Sequence, residues 1–222
     1  MCERLREKPG SVLALPTGNT PLGLYSEVVD RSRTGMVNLD AVKVFNLDEY
    51  CGLAQSDPHS YASFLHRHLI APAGLAGSQV RLLQGDAADM AAECRAYDAA
   101  VSACGGIDLC VLGLGVNGHV AFNEPGSAWD LRTHVVHLSH ATRAAHETQA
   151  SVPWIIPAWG ITMGIKTLLE ARHIVLLIAG THKESAQAAL RAGIADVDWP
   201  VTSLLAHPSL TLIELCESGV RQ

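Results

Sequence analysis

Seven short apolar runs, separated by stretches of helical character, constrain the fold of this chain more than any other feature. The runs are Val12–Leu15, Val42–Leu47, Val80–Leu83, Ile107–Leu112, Val135–Leu138, Ile174–Ala179 and Thr211–Leu215. A helix between successive strands makes a crossover connection, which leaves the strands parallel and covers both faces of the sheet. The alternation therefore predicts an α/β fold, a doubly wound and mostly parallel sheet with helices on both faces.

Capping residues predict the helix boundaries in this Rossmann-like arrangement. Thr20-Pro21 and Asp57-Pro58 each place a short polar side chain before a proline at the first helical position. The predicted helices span about 21–30, 58–70, 87–103 and 183–192, and residues 2–8 are predicted to form a further helical segment. Residues 1–222 contain no internal repeat or linker composition, so we expect a single domain.

The charge balance limits the kinds of partner this chain can bind. Charged residues make up 17% of the sequence and the formal net charge is −6, so no field recruits nucleic acid or an anionic membrane surface. The charged N-terminus and the lack of an apolar run of about 18 residues predict neither export nor membrane insertion. The six cysteines form no C-x-x-C pair, which favours reduced thiols in a cytoplasmic protein.

The first apolar run leads into a turn suited to an anion. Val12–Leu15 is followed by Thr17, Gly18, Asn19 and Thr20, after which a helical pattern begins. Free backbone N–H groups and the positive end of the helix dipole converge at such a turn. Gly18 allows close approach, Asn19 tolerates a left-handed conformation, and the threonine hydroxyls add donors. The turn predicts a phosphate site, although it is also compatible with a capped connection that binds nothing.

The second run delivers two carboxylates, Asp48 and Glu49, to the end of a strand. Ligands of open α/β sheets bind at the carboxyl ends of the strands, so a catalytic base could lie there. The pair is also compatible with one acid that caps the following turn and another that is solvated.

The strand Ile107–Leu112 runs into a glycine-rich segment, 113–125, that contains the pattern G-x-G-x-x-G. A dinucleotide-binding turn needs a helix after these glycines and an acidic residue about 20 positions further on. Pro125 and Gly126 cut such a helix short, and Leu138-Ser139-His140 stands where the acid should be. The segment therefore disfavours a nicotinamide cofactor.

What this segment offers is His119, with Asn117 two residues before it and Glu124 five residues after it. A histidine titrates near neutral pH, and a neighbouring carboxylate can orient its ring and stabilise the imidazolium. A lone histidine is also compatible with a structural role.

Four other histidines lie within one short stretch, but nothing places three of them on one face with an acidic partner. They are His134, His137, His140 and His146. We therefore predict no metal site and no cofactor.

Several segments, taken in order, resemble the glucosamine-6-phosphate deaminase family. They are Leu15–Pro21, Phe45–Leu53, Asp57–Phe64, Asn117–Pro125, Thr142-Arg143, Gly164–Leu169 and Gly180–Lys183. The resemblance covers about 11–215, and F-N-x-D-E-Y together with N-G-H-x-A-F-N-E-P makes it specific.

The resemblance implies conversion of glucosamine 6-phosphate and water to fructose 6-phosphate and ammonia, without metal or organic cofactor. It implies that His119 opens the pyranose ring, assisted by Asn117 and Glu124, and that Asp48 takes the proton from C2. The residues implied to hold the phosphate are Thr17, Gly18, Asn19, Thr20 and Lys183. The expected partner is thus a small sugar phosphate, and the expected assembly is a monomer or a homo-oligomer.

The sequence departs from the family pattern at three places in the site. Asn19 replaces a common glycine, and Asn117 replaces a frequent aspartate, which leaves Glu124 to support His119. A second phosphate-contacting arginine is missing from 144–148, which leaves Arg143 as an open substitute.

The segment 151–162 matches the family least, and its Pro157 would interrupt a central strand. This departure puts in doubt the hexameric, allosterically regulated form known for part of the family.

Three alternatives stay open. A lactonase acting on 6-phosphogluconate belongs to the same superfamily, but Phe122–Pro125 matches the deaminase pattern. A galactosamine-6-phosphate deaminase differs by one inverted hydroxyl, whose contacts the sequence does not locate. A non-catalytic sugar-phosphate sensor is disfavoured by Asp48, His119 and Glu124 together, because binding alone needs no base.

Overall fold

A parallel sheet forms the centre of the molecule in the computed structural model, which describes residues 1–149 and 154–215. The strands are β1 (Val12–Leu15), β2 (Lys43–Asn46), β3 (Asp48–Tyr50), β4 (Val80–Arg81), β5 (Leu109–Gly113), β6 (His134–His137), β7 (Trp159–Thr162), β8 (Ile174–Ala179) and β9 (Leu210–Leu215). Six of them pair in the order β4-β2-β1-β5-β8-β9, and every neighbouring pair is parallel. The predicted α/β fold is confirmed.

The strands of this sheet are apolar on both faces because each face lies in a separate core. In β1, Val12 and Ala14 enter one core, whereas Leu13 and Leu15 enter the other. Since successive side chains of a strand point to opposite faces, a strand buried on both sides reads as a continuous apolar run. This is why continuous apolar runs in the sequence predicted the positions of the central strands.

Helices cover both faces of the sheet. They are α1 (Cys2–Glu7), α2 (Leu22–Arg33), α3 (Tyr61–Leu65), α4 (Ala71–Ala73), α5 (Met90–Ala103), α6 (His140–Gln149), α7 (Ile165–Leu169) and α8 (Glu184–Ala192). Side chains of α5, α7 and α8 pack in the core of Val12, and those of α1, α2 and α3 pack in the core of Leu13. None of the helices in the described ranges is long and apolar enough to cross a membrane.

Both predicted proline caps are wrong. The helix α2 begins at Leu22, and its N-cap is Pro21 without a side-chain hydrogen bond, so Thr20 does not cap it. The helix α3 begins at Tyr61, three residues later than predicted, with the Ser60 hydroxyl as its cap. Besides this local cap, the Tyr61 and Ala62 N–H groups in the first turn of α3 donate to the Glu49 carboxylate, which a local capping rule cannot detect.

A second, three-stranded antiparallel sheet has the order β3-β7-β6 and corrects the predicted topology. The sequence predicts that the run Val135–Leu138 belongs to the mostly parallel sheet, but its strand lies in this second sheet. The predicted run Val42–Leu47 pairs in the parallel sheet only as far as Asn46, and the chain enters the second sheet at Asp48.

The buried Asn46 explains this switch between sheets. Its amide nitrogen donates to the Asp48 carbonyl at 2.7 Å, and its amide oxygen accepts from the Leu83 N–H at 2.9 Å. The Tyr97 hydroxyl donates to the same oxygen at 2.9 Å. These bonds replace the strand pairing that β2 loses, because buried polar groups must keep partners.

Pro157 does not interrupt a strand, because β7 begins after it, at Trp159. Part of the divergent segment, Ser151–Pro153, lies outside the described residues. Five cysteines, Cys2, Cys51, Cys94, Cys104 and Cys110, are free. Cys216 also lies outside the described ranges.

Candidate active site

A narrow cavity lies where the strand order of the parallel sheet reverses, between β1 and β5. Its walls come from the loops that follow β1, β5 and β8, from the first residue of β3, and from side chains of α3 and α6. Open α/β sheets bind ligands at this switch point, beyond the carboxyl ends of the strands. The predicted residues that line the cavity are Thr17, Gly18, Asn19, Thr20, Asp48, His119 and Lys183.

One end of the cavity is the turn before α2. Gly18 has φ +90°, a left-handed value that suits glycine, whereas Asn19 is not in a positive-φ conformation. The left-handed position predicted for Asn19 is therefore held by Gly18. Because α2 contributes the positive end of its dipole here, the turn favours an anion.

Lys183 supplies the full positive charge at this end. It is the last residue of a 3-10 turn, Thr181–Lys183, that comes after β8, and it lies directly before α8. Burial lowers the pKa of Lys183, and its ammonium group has no ion pair among the described residues. A half-buried ammonium without a carboxylate partner is available to an anionic ligand.

Asp48 and Glu49 are neighbours with different surroundings. The Glu49 carboxylate is fully buried and accepts hydrogen bonds from the backbone N–H groups of Tyr50, Tyr61 and Ala62 at 2.8–2.9 Å. The Asp48 carboxylate lines the cavity and accepts no hydrogen bond within the described part of the chain. Glu49 therefore anchors α3, which leaves Asp48 as the carboxylate that a ligand in the cavity can reach.

The pKa of both carboxyl groups is raised by burial. For Asp48, burial and then the nearby Glu49 charge raise the pKa well above its usual value. For Glu49, burial raises the pKa to about 7 against the opposing effect of its three N–H donors. A raised pKa makes the Asp48 carboxylate a stronger base.

His119 is held by a hydrogen-bonded chain that reaches Glu124 through Asn117. The Asn117 Oδ1 lies 2.7 Å from the His119 Nδ1, and the Asn117 Nδ2 donates to Glu124 at 2.8 Å. The predicted support of His119 by Glu124 is thus relayed by the amide of Asn117. Ser139 donates its backbone N–H to the same carboxylate at 3.0 Å.

These hydrogen bonds fix which ring nitrogen of neutral His119 carries the proton. Because Asn117 donates its amide N–H to Glu124, its oxygen faces His119 and accepts the Nδ1 proton. The Nε2 atom is then the unprotonated nitrogen. Burial, together with the charge of Lys183, lowers the pKa of His119 and keeps the ring neutral, while Glu124 opposes this shift.

Glu124 itself stays ionised. Burial raises its pKa, but hydrogen bonds from Thr142 and from the Ser139 N–H outweigh that effect, so that the pKa of Glu124 is lowered. A charged Glu124 stabilises an imidazolium on His119 as it forms.

The backbone of the histidine loop is shaped around the ring. A Cβ at Gly115 would overlap the His119 imidazole, so only glycine fits there. Ala121 has φ +50°, a strained conformation for a residue with a side chain, and it lines the cavity.

Sequence reasoning missed Thr142, Tyr50 and His146. The Thr142 hydroxyl lies 3.2 Å from the His119 Nδ1, and the Tyr50 hydroxyl lies 2.6 Å from the His146 Nδ1. His146 and Tyr61 line the cavity directly. Thr142 and Tyr50 belong to the matching segments Thr142-Arg143 and Phe45–Leu53, which were the available signal. His146 was considered only as one of four clustered histidines, for a metal site.

Arg143 does not line the cavity, and its Nε is buried without a hydrogen-bond partner in the described residues. The structure therefore does not support Arg143 as a substitute for the missing phosphate-contacting arginine. In the described ranges no three side chains of histidine, cysteine, aspartate or glutamate lie together in a metal-binding cluster.

Comparisons with known sequences match this chain along nearly all of its length. The family described as glucosamine-6-phosphate isomerases/6-phosphogluconolactonase matches residues 2–212. Glucosamine-6-phosphate deaminase of Lysinibacillus sphaericus (strain C3-41) is 43% identical over 211 residues, which are 95% of this chain and 89% of that protein. Glucosamine-6-phosphate deaminase 2 of Bacillus subtilis (strain 168) is 39% identical, with 95% of this chain and 86% of that protein covered.

Two solved structures share the fold. A monomeric glucosamine-6-phosphate deaminase has a TM-score of 0.92 at 36% identity, with 96% of this chain and 88% of that one covered. A 6-phosphogluconolactonase from Thermotoga maritima has a TM-score of 0.72 at 18% identity, with 96% and 89% covered. At 18% identity the second likeness concerns the fold alone.

Proposed function

This chain belongs to the family of glucosamine-6-phosphate isomerases and 6-phosphogluconolactonases, and we propose that it deaminates glucosamine 6-phosphate to fructose 6-phosphate. The observation that carries the proposal is one cavity that joins an anion-binding turn to two proton-transfer groups, Asp48 and His119. A deaminase and isomerase needs both, because its substrate is a phosphate ester whose C–H and O–H protons must move.

The proposed reaction begins with opening of the sugar ring. The His119 Nε2 takes the proton of the anomeric hydroxyl and delivers it to the ring oxygen as the C1–O5 bond breaks. The unprotonated Nε2, fixed by Asn117, fits this task. Glu124 stabilises the transient imidazolium through the Asn117 amide.

Asp48 then carries the isomerisation. Its carboxylate takes the proton from C2 of the open-chain sugar and returns it to C1, while a proton of the protonated amino group passes to O1, which leaves a protonated imine at C2. Water adds to the imine carbon, and the C–N bond breaks to release ammonia and the ketose. The raised pKa of Asp48, caused by burial and by Glu49, supports this role as a base.

The phosphate is proposed to bind at the other end of the cavity, to Thr17, Gly18, Asn19, Thr20 and Lys183. Backbone N–H groups at the start of α2 and the Lys183 ammonium supply the complementary charge. A small sugar phosphate is therefore the proposed partner.

The test is an assay of ammonia release from glucosamine 6-phosphate, galactosamine 6-phosphate and N-acetylglucosamine 6-phosphate, with 6-phosphogluconolactone hydrolysis measured in parallel. We expect ammonia from glucosamine 6-phosphate, retained after dialysis against a chelator. Lactone hydrolysis without ammonia release would overturn the proposal, and sugar-phosphate binding with neither reaction would indicate a sensor.

A further inference from the structure

His146 is a half-buried titratable group in the cavity that the proposed reaction does not use. It lies on α6, and its ring centroid is 6.3 Å from that of His119, with the two planes nearly perpendicular at 89°. The cavity also opens into a wider cleft, and His146 lines both. A substrate in the cavity would therefore meet two imidazoles.

Two tyrosine hydroxyl groups lie in a hydrogen-bonded row that ends at the Nδ1 atom of His146. The Tyr61 hydroxyl donates to the Tyr50 hydroxyl at 3.2 Å, and the Tyr50 oxygen lies 2.6 Å from the His146 Nδ1. Burial raises the pKa of Tyr50 far above its usual value, so this phenol keeps its proton. An unprotonated imidazole nitrogen is a better acceptor than a phenol oxygen, so Tyr50 donates to Nδ1.

The direction of this hydrogen bond fixes the tautomer of His146. With Nδ1 as the acceptor, the single proton of the neutral ring lies on Nε2. The ring is neutral because burial, with the charge of His119, lowers the pKa of His146 to about 4. Nε2 has no hydrogen-bond partner in residues 1–149 and 154–215, so its N–H is available to a ligand.

The two imidazoles therefore present opposite chemistry to the cavity. His119 offers an unprotonated Nε2, whereas His146 offers a protonated one. An oxygen that loses a proton to one ring can receive a hydrogen bond from the other.

We propose that His146 is a catalytic hydrogen-bond donor, whose Nε2–H binds a sugar oxygen beside His119, and that Tyr50 is the positioning residue that fixes this donor. The proposal rests on the proposed function. When Asp48 takes the C2 proton, electron density moves onto O1 of the open-chain sugar. A neutral imidazole N–H polarises such an oxygen and keeps its own proton, so no further group has to reprotonate it.

Packing is the competing explanation for His146. Its ring lies 5.8 Å from the Phe122 ring and 6.1 Å from the Tyr50 ring, both measured between centroids. A packing role needs an aromatic ring and no N–H. The two explanations therefore predict different results for a phenylalanine and for a glutamine at this position.

The kinetic test compares His146→Phe, His146→Gln and Tyr50→Phe in the full chain. Loss of one preorganised donor to a developing charge costs about 10²-fold in kcat, so we expect that loss in His146→Phe with KM within about threefold. Glutamine carries an amide N–H at nearly the reach of Nε2, and it should recover at least about tenfold of this loss. Tyr50→Phe should be intermediate, and His140→Gln, an exposed position on the same helix, is the control.

Two kinetic outcomes would overturn the proposal. Near-normal kcat in His146→Phe would leave His146 a packing residue, and a His146→Gln variant no better than His146→Phe would show that the donor is irrelevant. Thermal unfolding of each variant, followed beside kcat, separates misfolding from lost catalysis.

Nitrogen NMR of the histidine rings tests the tautomer without relying on activity. We expect a neutral Nε2–H ring for His146 at pH 7 in the wild-type chain and a mixture of tautomers in Tyr50→Phe. A charged ring or an Nδ1–H tautomer in the wild type would overturn the proposal. Failure of the proposed function would instead appear as a wild-type chain that releases no ammonia while its His146 keeps the Nε2–H tautomer.

Discussion

The two ends of the cavity are built in different ways. The proposed phosphate end consists of a strand-to-helix turn of the parallel sheet plus one lysine, and the donors that it would offer are mostly backbone N–H groups. The proposed proton-transfer end is made by a short antiparallel strand and a loop, and hydrogen bonds link its side chains, from Asn117 to Glu124 and between Thr142 and His119. Fixed dipoles suit the binding of a constant charge, whereas proton transfer requires groups whose protonation can change.

Because the two ends are built differently, we expect substitutions at each end to change different kinetic constants. A group that holds the phosphate interacts equally with substrate and transition state, so its loss should raise KM. A group that moves a proton acts in the transition state, so its loss should lower kcat. The predictions below test this division, from the largest expected effect to the smallest.

Asp48→Asn tests the proton-transfer end. Asparagine keeps the shape of the side chain and removes its basicity, so kcat should fall by about 10²–10⁴-fold while KM changes by less than about threefold. In heavy water the wild type should exchange solvent deuterium into the sugar, and the variant should not. A near-normal kcat would place the base elsewhere, and lost substrate binding would make Asp48 a structural residue.

Lys183→Ala tests the phosphate end. A hydrogen bond to a charged group contributes about 1.5–3 kcal/mol, so KM should rise by about 10- to 100-fold with kcat little changed. Lys166→Ala removes an exposed lysine outside the cavity and is the matched control. An unchanged KM in Lys183→Ala would show that this lysine does not bind the phosphate.

Glu49→Gln sharpens the contrast with its neighbour Asp48. Glutamine leaves one of the buried N–H groups of Tyr50, Tyr61 and Ala62 without its acceptor, which should cost about 1–3 kcal/mol of stability. Asp48→Asn should change the free energy of unfolding much less, because that carboxylate accepts no hydrogen bond in the described ranges. Urea unfolding of both variants measures the difference. Equal stability losses would contradict the separate roles of the two carboxylates.

The smallest expected effect is an electrostatic link between the two ends. The Lys183 charge lowers the pKa of His119, and the Glu124 charge raises it. The pKa of His119 should therefore rise in Lys183→Ala, because the imidazolium loses a repelling neighbour, and fall in Glu124→Gln. An NMR titration of the His119 ring follows both shifts. A pKa that does not move in Lys183→Ala would mean that the two ends are electrically independent.

The sequence by itself determined the parallel sheet and several of the residues that its strand ends bring to the cavity. The strands at Val12–Leu15 and Ile174–Ala179 are continuous apolar runs because both of their faces are buried, which is a local signal. Thr17–Thr20, Asp48, His119 and Lys183 each follow such a run, and the topology rule for open sheets brings strand ends together.

Only the tertiary structure decided which of these groups contact one another and in which protonation state. The tautomer of His119 depends on its near neighbours Asn117 and Glu124, whose orientation only the folded loop fixes. The second sheet, the bonds from the start of α3 to Glu49 and the tautomer of His146 depend on hydrogen bonds between residues far apart in sequence. Such bonds leave no periodic trace in the sequence, because each needs only one polar side chain at one position. Their partners are set by packing, which places a buried polar group where it must be satisfied.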